Sequence, residues 1–426
     1  MPLGKAVDTV ARVYFLAVMF LMYFFIEEAV YIGGIGITLR HVFALLLIAS
    51  AFVYFIIKPD VARAAVSLKS AFVFAVPLLV VIVASMLVWV IDKSDMSTIL
   101  RGISGCVIYT NWLSCALCAG AALYVFGKSG IWYNLAAIAA SNIVMIVRIM
   151  LTDGIGKFFS EFITLVASFA GKTGETIVKA EIHELAFCLG AYIIYMLYKP
   201  QKKVWFWVLF GLSSFCFLAA FKRIALIAMA VVAAVRGVLW LFGRLSDGAV
   251  SRAANAVSIL SVVLLVAYVA VIKADVFSML ERAGIDTSGR AYVYSHVSKY
   301  YSFSPSFAGN GIGFLTYQLN EVVSLGVSAV HNDFLQFYID LGFFGYILWL
   351  LSMTLLRTKY FGRNADADTA VVTTLLTVYL IIVSSTDNTI NYPLLTTVMG
   401  VIIMGNGYEK DVSEQRERYC MEPQGF

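Results

Sequence analysis

Charge is scarce in this sequence. Of its 426 residues only 13% are charged, against 61% hydrophobic. A soluble domain averages about 25% charged and about 45–50% apolar. The scarcity excludes an ordinary globular enzyme, and equally a disordered or fibrous chain. Histidine is scarcer still, with only His41, His183, His296 and His331. No two of them have metal-ligand spacing and no cysteine partners them, which argues against a zinc site. Long basic runs are missing too. The net charge is +5, but the lysines and arginines are scattered between apolar segments, so no nucleic acid is expected as partner. The six cysteines, Cys106, Cys115, Cys118, Cys188, Cys216 and Cys420, fall almost entirely inside apolar segments. Cys115 and Cys118 form a C-x-x-C on one helix face. They read as small packing residues rather than as a redox pair.

Long apolar runs are what the sequence has in plenty, and its mean hydropathy is +0.87. A membrane-crossing helix needs roughly 20 apolar residues, so twelve need roughly 240. The expected fold is an all-α polytopic membrane protein with about 12 transmembrane helices. They are placed at 11–27, 39–57, 71–91, 103–126, 130–151, 184–198, 204–221, 224–243, 253–273, 331–356, 367–386 and 391–406. Residues 1–426 read as a single integral-membrane domain. The first apolar run has no small-residue cleavage site behind it and reads as a retained signal-anchor.

Orientation follows from the basic residues of the short loops. Lys58, Arg63, Lys69, Lys128, Lys199, Lys202, Lys203, Arg244, Arg252, Arg357, Lys359 and Arg363 share one side, which reads as cytoplasmic. Glu27, Glu28, a mixed Asp92-to-Arg101 segment and Asp387 fall on the other. Both termini are then cytoplasmic, with 407–426 a short polar tail. Two long loops lie outside. The loop 152–183 holds Phe158, Phe159, Phe162, Ile163, Leu165, Val166 and Phe169, the pattern of an amphipathic helix at the interface. The loop 274–330 holds Arg282, Arg290, His296 and Lys299, a glycine-rich stretch and many aromatics. Long loops of this kind are usually functional. The two halves do not mirror each other, which weakens an inverted-repeat transporter.

Ionisable groups at membrane depth are functional candidates by default. Arg40, Arg148, Arg223 and Arg290 all fall toward the outer side. If these ends converge they form a cationic pocket, and guanidinium forks suit the oxygens of a lipid-linked pyrophosphate. The competing reading is that they snorkel to head groups, as Arg236 is read to do. His331, in Ala329-Val330-His331-Asn332-Asp333, is a candidate general base at an outer helix end. Equally, it is a polar helix-start residue, with Asn332 and Asp333 as caps. Gly309-Asn310-Gly311-Ile312-Gly313 follows no strand, so it reads as a tight bend and not as a dinucleotide fingerprint. Glu27, Glu28, Glu181, His183 and Glu184 could orient a sugar or be ordinary interface charges.

The stretch from Gly309 to Leu350, GNGIGFLTYQLNEVVSLGVSAVHNDFLQFYIDLGFFGYILWL, resembles the signature of the O-antigen ligase and polysaccharide-polymerase superfamily. The elements shared are the Gly311-x-Gly313 bend, His331-Asn332, and Leu341-Gly342-Phe343-Phe344-Gly345. Lys222-Arg223-Ile224-Ala225 resembles the family's basic hairpin, and Ser288-Gly289-Arg290 its loop-opening arginine element. The resemblance covers the C-terminal half; the first 200 residues match as hydropathy alone. It implies a GT-C-type glycosyltransferase of the bacterial inner membrane, multi-pass, with its active site facing the periplasm. The donor is a glycan on undecaprenyl pyrophosphate and the acceptor a sugar hydroxyl, with no cofactor, nucleotide sugar or metal. By matched position, Arg223 and Arg290 hold the pyrophosphate and His331 activates the acceptor. Lys222, Asn332 and Tyr292 join as substrate-binding candidates; Arg148 and Arg40 do so on electrostatic grounds alone. The strings Lys222–Leu226 and His183–Phe187 look more like the Wzy-type repeat-unit polymerases, which implies a second lipid-linked unit as acceptor and a chain-length regulator as partner. A WaaL-type ligase, transferring to lipid A-core, is second. A lipid-linked oligosaccharide transporter and a structural scaffold are the non-enzyme alternatives.

Overall fold

The computed structural model describes residues 3–26, 28–32, 35–92, 94–167, 183–220, 222–284, 287, 289–319, 330–362, 367–389 and 392–421. In chain order the elements are α1 (Leu3–Phe24), β1 (Ala29–Ile32), β2 (Ile35–Thr38), α2 (Leu39–Ile57), α3 (Val61–Phe74), α4 (Val76–Ile91), α5 (Met96–Phe126), α6 (Gly130–Asp153) and α7 (Ile155–Ala167). There follow α8 (His183–Tyr198), α9 (Val204–Ala220), α10 (Arg223–Gly243), α11 (Asp247–Lys273), α12 (Val276–Arg282), α13 (Arg290–Val297), α14 (Phe314–Tyr317), α15 (Asp333–Leu351), α16 (Arg357–Phe361), α17 (Ala367–Ser384) and α18 (Pro393–Met421). The protein is an all-α polytopic membrane chain. Among the described residues the strands are those of the antiparallel hairpin β1–β2, paired from Ala29↔Thr38 to Ile32↔Ile35.

Among the described residues seven helical runs are long and apolar enough to cross a membrane, or eight if α3 and α4, bent by 46°, form one span. This is fewer than the expected twelve, for three reasons. α8 and α9 are apolar but only 16 and 17 residues long. The end of α5, a 3-10 turn and α6 run together as one stretch, Trp112–Asp153. The second half of α18 is polar and dilutes its apolar start. α1 begins eight residues before its expected position. Its charges are paired there, Asp8 with Arg12 at 3.3 Å and with Lys58 at 3.1 Å. In the loop after α6, α7 buries Phe158 and exposes Ile163. Phe169, Glu27, Glu181, Ser288 and Arg363 lie outside the described residues, as do the side chains of Leu165, Val166 and His183.

The helices pack as two compact units, Met1–Phe72 with Ser114–Val232 and Pro393–Phe426, and Val73–Leu113 with Ala233–Tyr392. In the first, α8 is the central helix, buried through Leu185, Phe187, Leu189 and Tyr192. An amide at its side is fully used. Asn134 of α6 donates to the Tyr23 hydroxyl and accepts from the Tyr192 hydroxyl, both at 2.7 Å. The chemistry is economical: a buried amide must find partners or lose its hydration without return. Cys115, Cys118, Cys188 and Cys216 are free and buried. Where α2 meets α3, Asp60 binds Arg416 at 2.6 Å and the Arg63 backbone N–H at 3.0 Å. Burial pushes the Asp60 carboxyl up, but the Arg63 N–H and the Arg416 guanidinium outweigh it and hold its pKa below the ordinary value.

The core of the second unit is α15, packed against α4 and α11, with α17 lying on α11. Its buried hydroxyls turn inward on their own helices. Thr354, Thr373 and Thr374 each donate at 2.8 Å to the carbonyl four residues back. The bend between α3 and α4 has a chemical cause. Pro77 has no N–H to give, and the Leu78 N–H turns to Ala75 at 2.9 Å. The Phe74 carbonyl so released accepts from the buried Arg357 guanidinium at 2.5 Å.

A second break positions the candidate site. α15 is interrupted at Gly342, with φ 71° and ψ −177°. The glycine-rich stretch fills the gap. The Gly311 N–H donates to the Asp340 carbonyl at 2.8 Å, and the Phe343 N–H donates to Phe307 at 2.9 Å. The Asp340 carboxylate accepts the N–H groups of Gly313 and Leu315 at 3.3 and 3.2 Å. Backbone lies on backbone here. A Cβ on Gly342 would sit 2.2 Å from the Ala308 carbonyl carbon, and one on Gly309 would sit 2.4 Å from the Gly342 nitrogen. The expected tight bend is therefore an interlock between the loop and the broken helix.

Candidate active site

Three consecutive residues after α17 gather two of the candidates. Arg290 is the first residue of α13. Its Nη2 donates to the Thr386 carbonyl at 2.8 Å and its Nη1 to the Thr287 carbonyl at 3.3 Å. Its Nε is buried and makes no hydrogen bond among the described residues. The next residue, Asp387, sets its Oδ1 4.0 Å from Nδ1 of His331. The one after it, Asn388, sets its side-chain amide 3.3 Å from the same ring nitrogen. The clasped Arg290 and the imidazole thus stand on either side of one short turn.

That turn is held from below. The Thr389 hydroxyl donates to Asp333 at 2.6 Å. The Tyr268 hydroxyl of α11 donates to the Ser385 carbonyl at 3.0 Å. The Asp387 carboxylate accepts the Tyr392 hydroxyl at 3.2 Å. His331 itself is 53% exposed, so its ring is open to a ligand. Its backbone lies in the left-handed region, φ 51°. A non-glycine residue there carries strain of order 1–3 kcal/mol, and such strain clusters at functional sites.

Asn332 caps α15, accepting the Leu335 N–H at 3.1 Å. Its amide donates to the hydroxyls of Tyr268 and Tyr294 at 3.2 and 3.1 Å. It is fully buried, so it holds the helix start against α11 and α13 and presents no atom to solvent. Tyr294 stays a neutral phenol, because burial pushes its pKa up further than Asn332 and Arg290 pull it down. Tyr292 is exposed, with its ring 4.3 Å from that of His296.

The other candidates belong to the first unit. Arg40 binds Glu184 at 3.0 Å. The same carboxylate accepts the Leu394 N–H at the start of α18, at 2.5 Å. Arg40 is therefore a staple between α2 and α8 before it is anything else. Arg148 and Arg223 are exposed and make no hydrogen bond or ion pair among the described residues. Arg223 opens α10, and the Lys222 carbonyl accepts the first N–H groups of that helix. Among the described residues no group of three or more His, Cys, Asp or Glu side chains is placed to hold a metal ion.

In the sequence Asp387 reads only as a marker of sidedness, and Thr386 and Asn388 carry no motif. The signal available was a polar run, Thr386-Asp387-Asn388-Thr389, between two apolar helices.

Residues 208–350 match the family model described as O-Antigen ligase, Wzy_C. The matched segment runs from α9 to α15 and contains Arg223, Arg290, His331 and the interlock. It leaves out Arg40, Arg148 and the 385–389 turn. No curated protein matches the chain.

Proposed function

We propose, starting from the O-antigen ligase domain at residues 208–350, that this protein is a surface-polysaccharide polymerase. It moves a glycan from undecaprenyl pyrophosphate onto a sugar hydroxyl of a second lipid-linked repeat unit. It does so at the periplasmic face of the bacterial inner membrane, in a GT-C-type chain of about twelve spans with both termini cytoplasmic.

The observation that carries this reading is the turn that holds the Arg290 guanidinium and the His331 ring together. The acceptor hydroxyl gives its proton to His331 as its oxygen bonds to the anomeric carbon. The carbon–oxygen bond to pyrophosphate breaks on the opposite face, with inversion, and its electron pair leaves with the phosphate. Arg290 stabilises that growing charge, which is larger in the transition state than in the bound donor. Arg223 is a second phosphate-binding cation, assigned from its position in the family motif.

The ring geometry suits a base. Asp387 and Asn388 face Nδ1, so Nε2 takes the proton. The Asp387 carboxylate stabilises the imidazolium that forms. With its amide turned over, Asn388 accepts a hydrogen from Nδ1, and its Oδ1 is otherwise buried without a partner.

The test uses purified protein and one defined undecaprenyl-pyrophosphate-linked repeat unit. A product ladder spaced by whole repeats, absent in His331→Ala and Arg290→Ala, supports the polymerase. Transfer only when lipid A-core is supplied means a ligase. Silence with both acceptors, from intact protein and donor, favours a transporter or scaffold.

A further inference from the structure

Beside the interlock lies a cleft of about 100 Å³. Its walls come from the end of α4 (Trp89), the first turn of α5 (Thr98), the glycine-rich stretch (Asn310), and α14 with its next residue (Phe314, Tyr317 and Gln318). At about 30 Å³ per water molecule it holds about three waters, or the edge of one sugar ring. Among the described residues no charged side chain lines it.

The wall is built in advance. A Cβ on Gly102 would lie 2.5 Å from the Trp89 ring, and one on Gly311 would lie 2.2 Å from its Nε1. Two glycines thus leave the space the indole occupies. The Ile312 N–H donates to Ser85 of α4 at 3.0 Å and ties the loop to the same helix.

Polar groups at the rim remain available. Gln318 accepts the Tyr300 hydroxyl at 3.2 Å, and its NH2 has no partner among the described residues. Asn310 spends its NH2 on the carbonyls of Tyr300 and Ile339 at 3.1 and 3.0 Å, and its Oδ1 has no partner among the described residues. Aromatic walls with uncharged donors and acceptors suit a ligand that is apolar on its C–H face and hydroxylated at its edge. An alkyl chain would leave the amides idle, and an anion would find no cation among the described residues.

Gln336 of α15 donates to Thr316 of α14 at 3.4 Å, which ties the α14 wall of the cleft to the helix that follows His331.

We infer that this cleft is a saccharide subsite, holding the edge of one neutral sugar ring of the glycan. The assignment rests on the glycan-transfer reading above. It makes Trp89 and Tyr317 stacking residues and Gln318 a donor to a ring hydroxyl. It also predicts discrimination against a uronic acid at this position.

The test is saturation-transfer NMR on the full chain in detergent, with the methyl glycosides of glucose, galactose, N-acetylglucosamine and glucuronate as probes. Neutral glycosides should bind both wild type and His331→Ala, more tightly than the glucuronide. Tyr317→Ala and Gln318→Ala, each monodisperse, should weaken binding, the former about tenfold, the loss of one aromatic contact. Trp89→Phe keeps a ring in place and should bind like wild type. Absence of glycoside binding by the wild type overturns the inference, and so does equal binding by Tyr317→Ala and Gln318→Ala. Glycan transfer by those variants with unchanged KM sinks the subsite and leaves the transferase. Glycoside binding in the cleft of a protein that transfers nothing sinks the transferase and leaves a saccharide site.

Discussion

Replacing Gly342 by alanine should unfold the second unit well before the first. The substitution adds one methyl group at a backbone angle of φ 71°, ψ −177°. That region is essentially reserved for glycine and costs another residue about 1–3 kcal/mol. The methyl also has nowhere to go. It would stand 2.2 and 2.3 Å from the carbonyl carbon and oxygen of Ala308, and 2.5 Å from the Gly309 nitrogen. Neither chain can retreat without breaking the bonds from Gly311 to Asp340 and from Phe343 to Phe307, 2.8 and 2.9 Å long. Each is worth about 1 kcal/mol net. The total is about 3–5 kcal/mol, a large share of the 5–15 kcal/mol typical of a whole domain. At about 2–4 °C per kcal/mol for a unit of this size, the thermal midpoint should fall roughly 6–20 °C. The assay is intrinsic fluorescence or size-exclusion loss on heating in detergent. Gly237→Ala is the control, because a Cβ there meets nothing within 4 Å. It lies inside α10 and should be neutral or stabilising by about 0.5–1 kcal/mol. Equal midpoints for the two variants would refute the interlock.

Three further outcomes are expected. His331→Ala should lower the glycan-transfer rate by about 10²–10⁴-fold, the usual worth of a general base, and Asp387→Asn should lower it less, with the apparent KM for the lipid-linked donor little changed in steady-state assays. Glu184→Gln should cost about 1–3 kcal/mol, less than the loss of a fully buried pair because Arg40 is 22% exposed; the melting midpoint reads it, and Arg40→Met on top should restore part. The Asp60 pKa is lowered in the fold, so its contribution is present above the ordinary carboxylate range and is lost as the pH falls through the lowered value; Asp60→Asn should therefore melt at a lower temperature than wild type at pH 7 and draw level with it toward pH 3 in a melting series.

Hydropathy made most of the helices readable. The apolar runs at 39–57, 204–221 and 224–243 end within three residues of α2, α9 and α10, because Lys58, Lys203 and Lys222-Arg223 stop them with charge. What hydropathy cannot see is partnership at long sequence separation. Arg40 looked like a spare cation, because Glu184 is 144 residues away. Asp387 looked like a loop charge, because its histidine lies 56 residues earlier in the chain. The glycines of 309–313 announced a bend, but nothing in their sequence named Gly342 as the residue they close upon. Asn332 was legible as a cap and equally as a ligand group. Its burial, and the two tyrosine hydroxyls it serves, favour the cap.

The placement of Arg223 and Arg290 favours an anion over the snorkelling reading. Arg223 and Arg290 are each the first residue of a helix, α10 and α13. A cation at that end opposes the helix dipole by about 0.3–1 kcal/mol, where aspartate or serine would help. A residue that merely reached for lipid head groups would serve as well one or two turns along the helix, without that penalty. Arg290 moreover spends two of its nitrogens on backbone carbonyls, which fixes its plane and leaves its charge uncompensated by any carboxylate among the described residues. A fixed, unneutralised guanidinium at a positive helix end is unfavourable in the free protein. An anion brought to it gains from the charge and from the dipole together. If that is why it stands there, Arg290→Ala should leave the fold as stable or slightly more stable while abolishing transfer. Arg290→Lys should keep the charge, lose the two-carbonyl clasp, and recover only a small part of the rate. A clear loss of thermal stability in Arg290→Ala would mean that the clasp on Thr386 is structural first, and would return the burden of anion binding to Arg223.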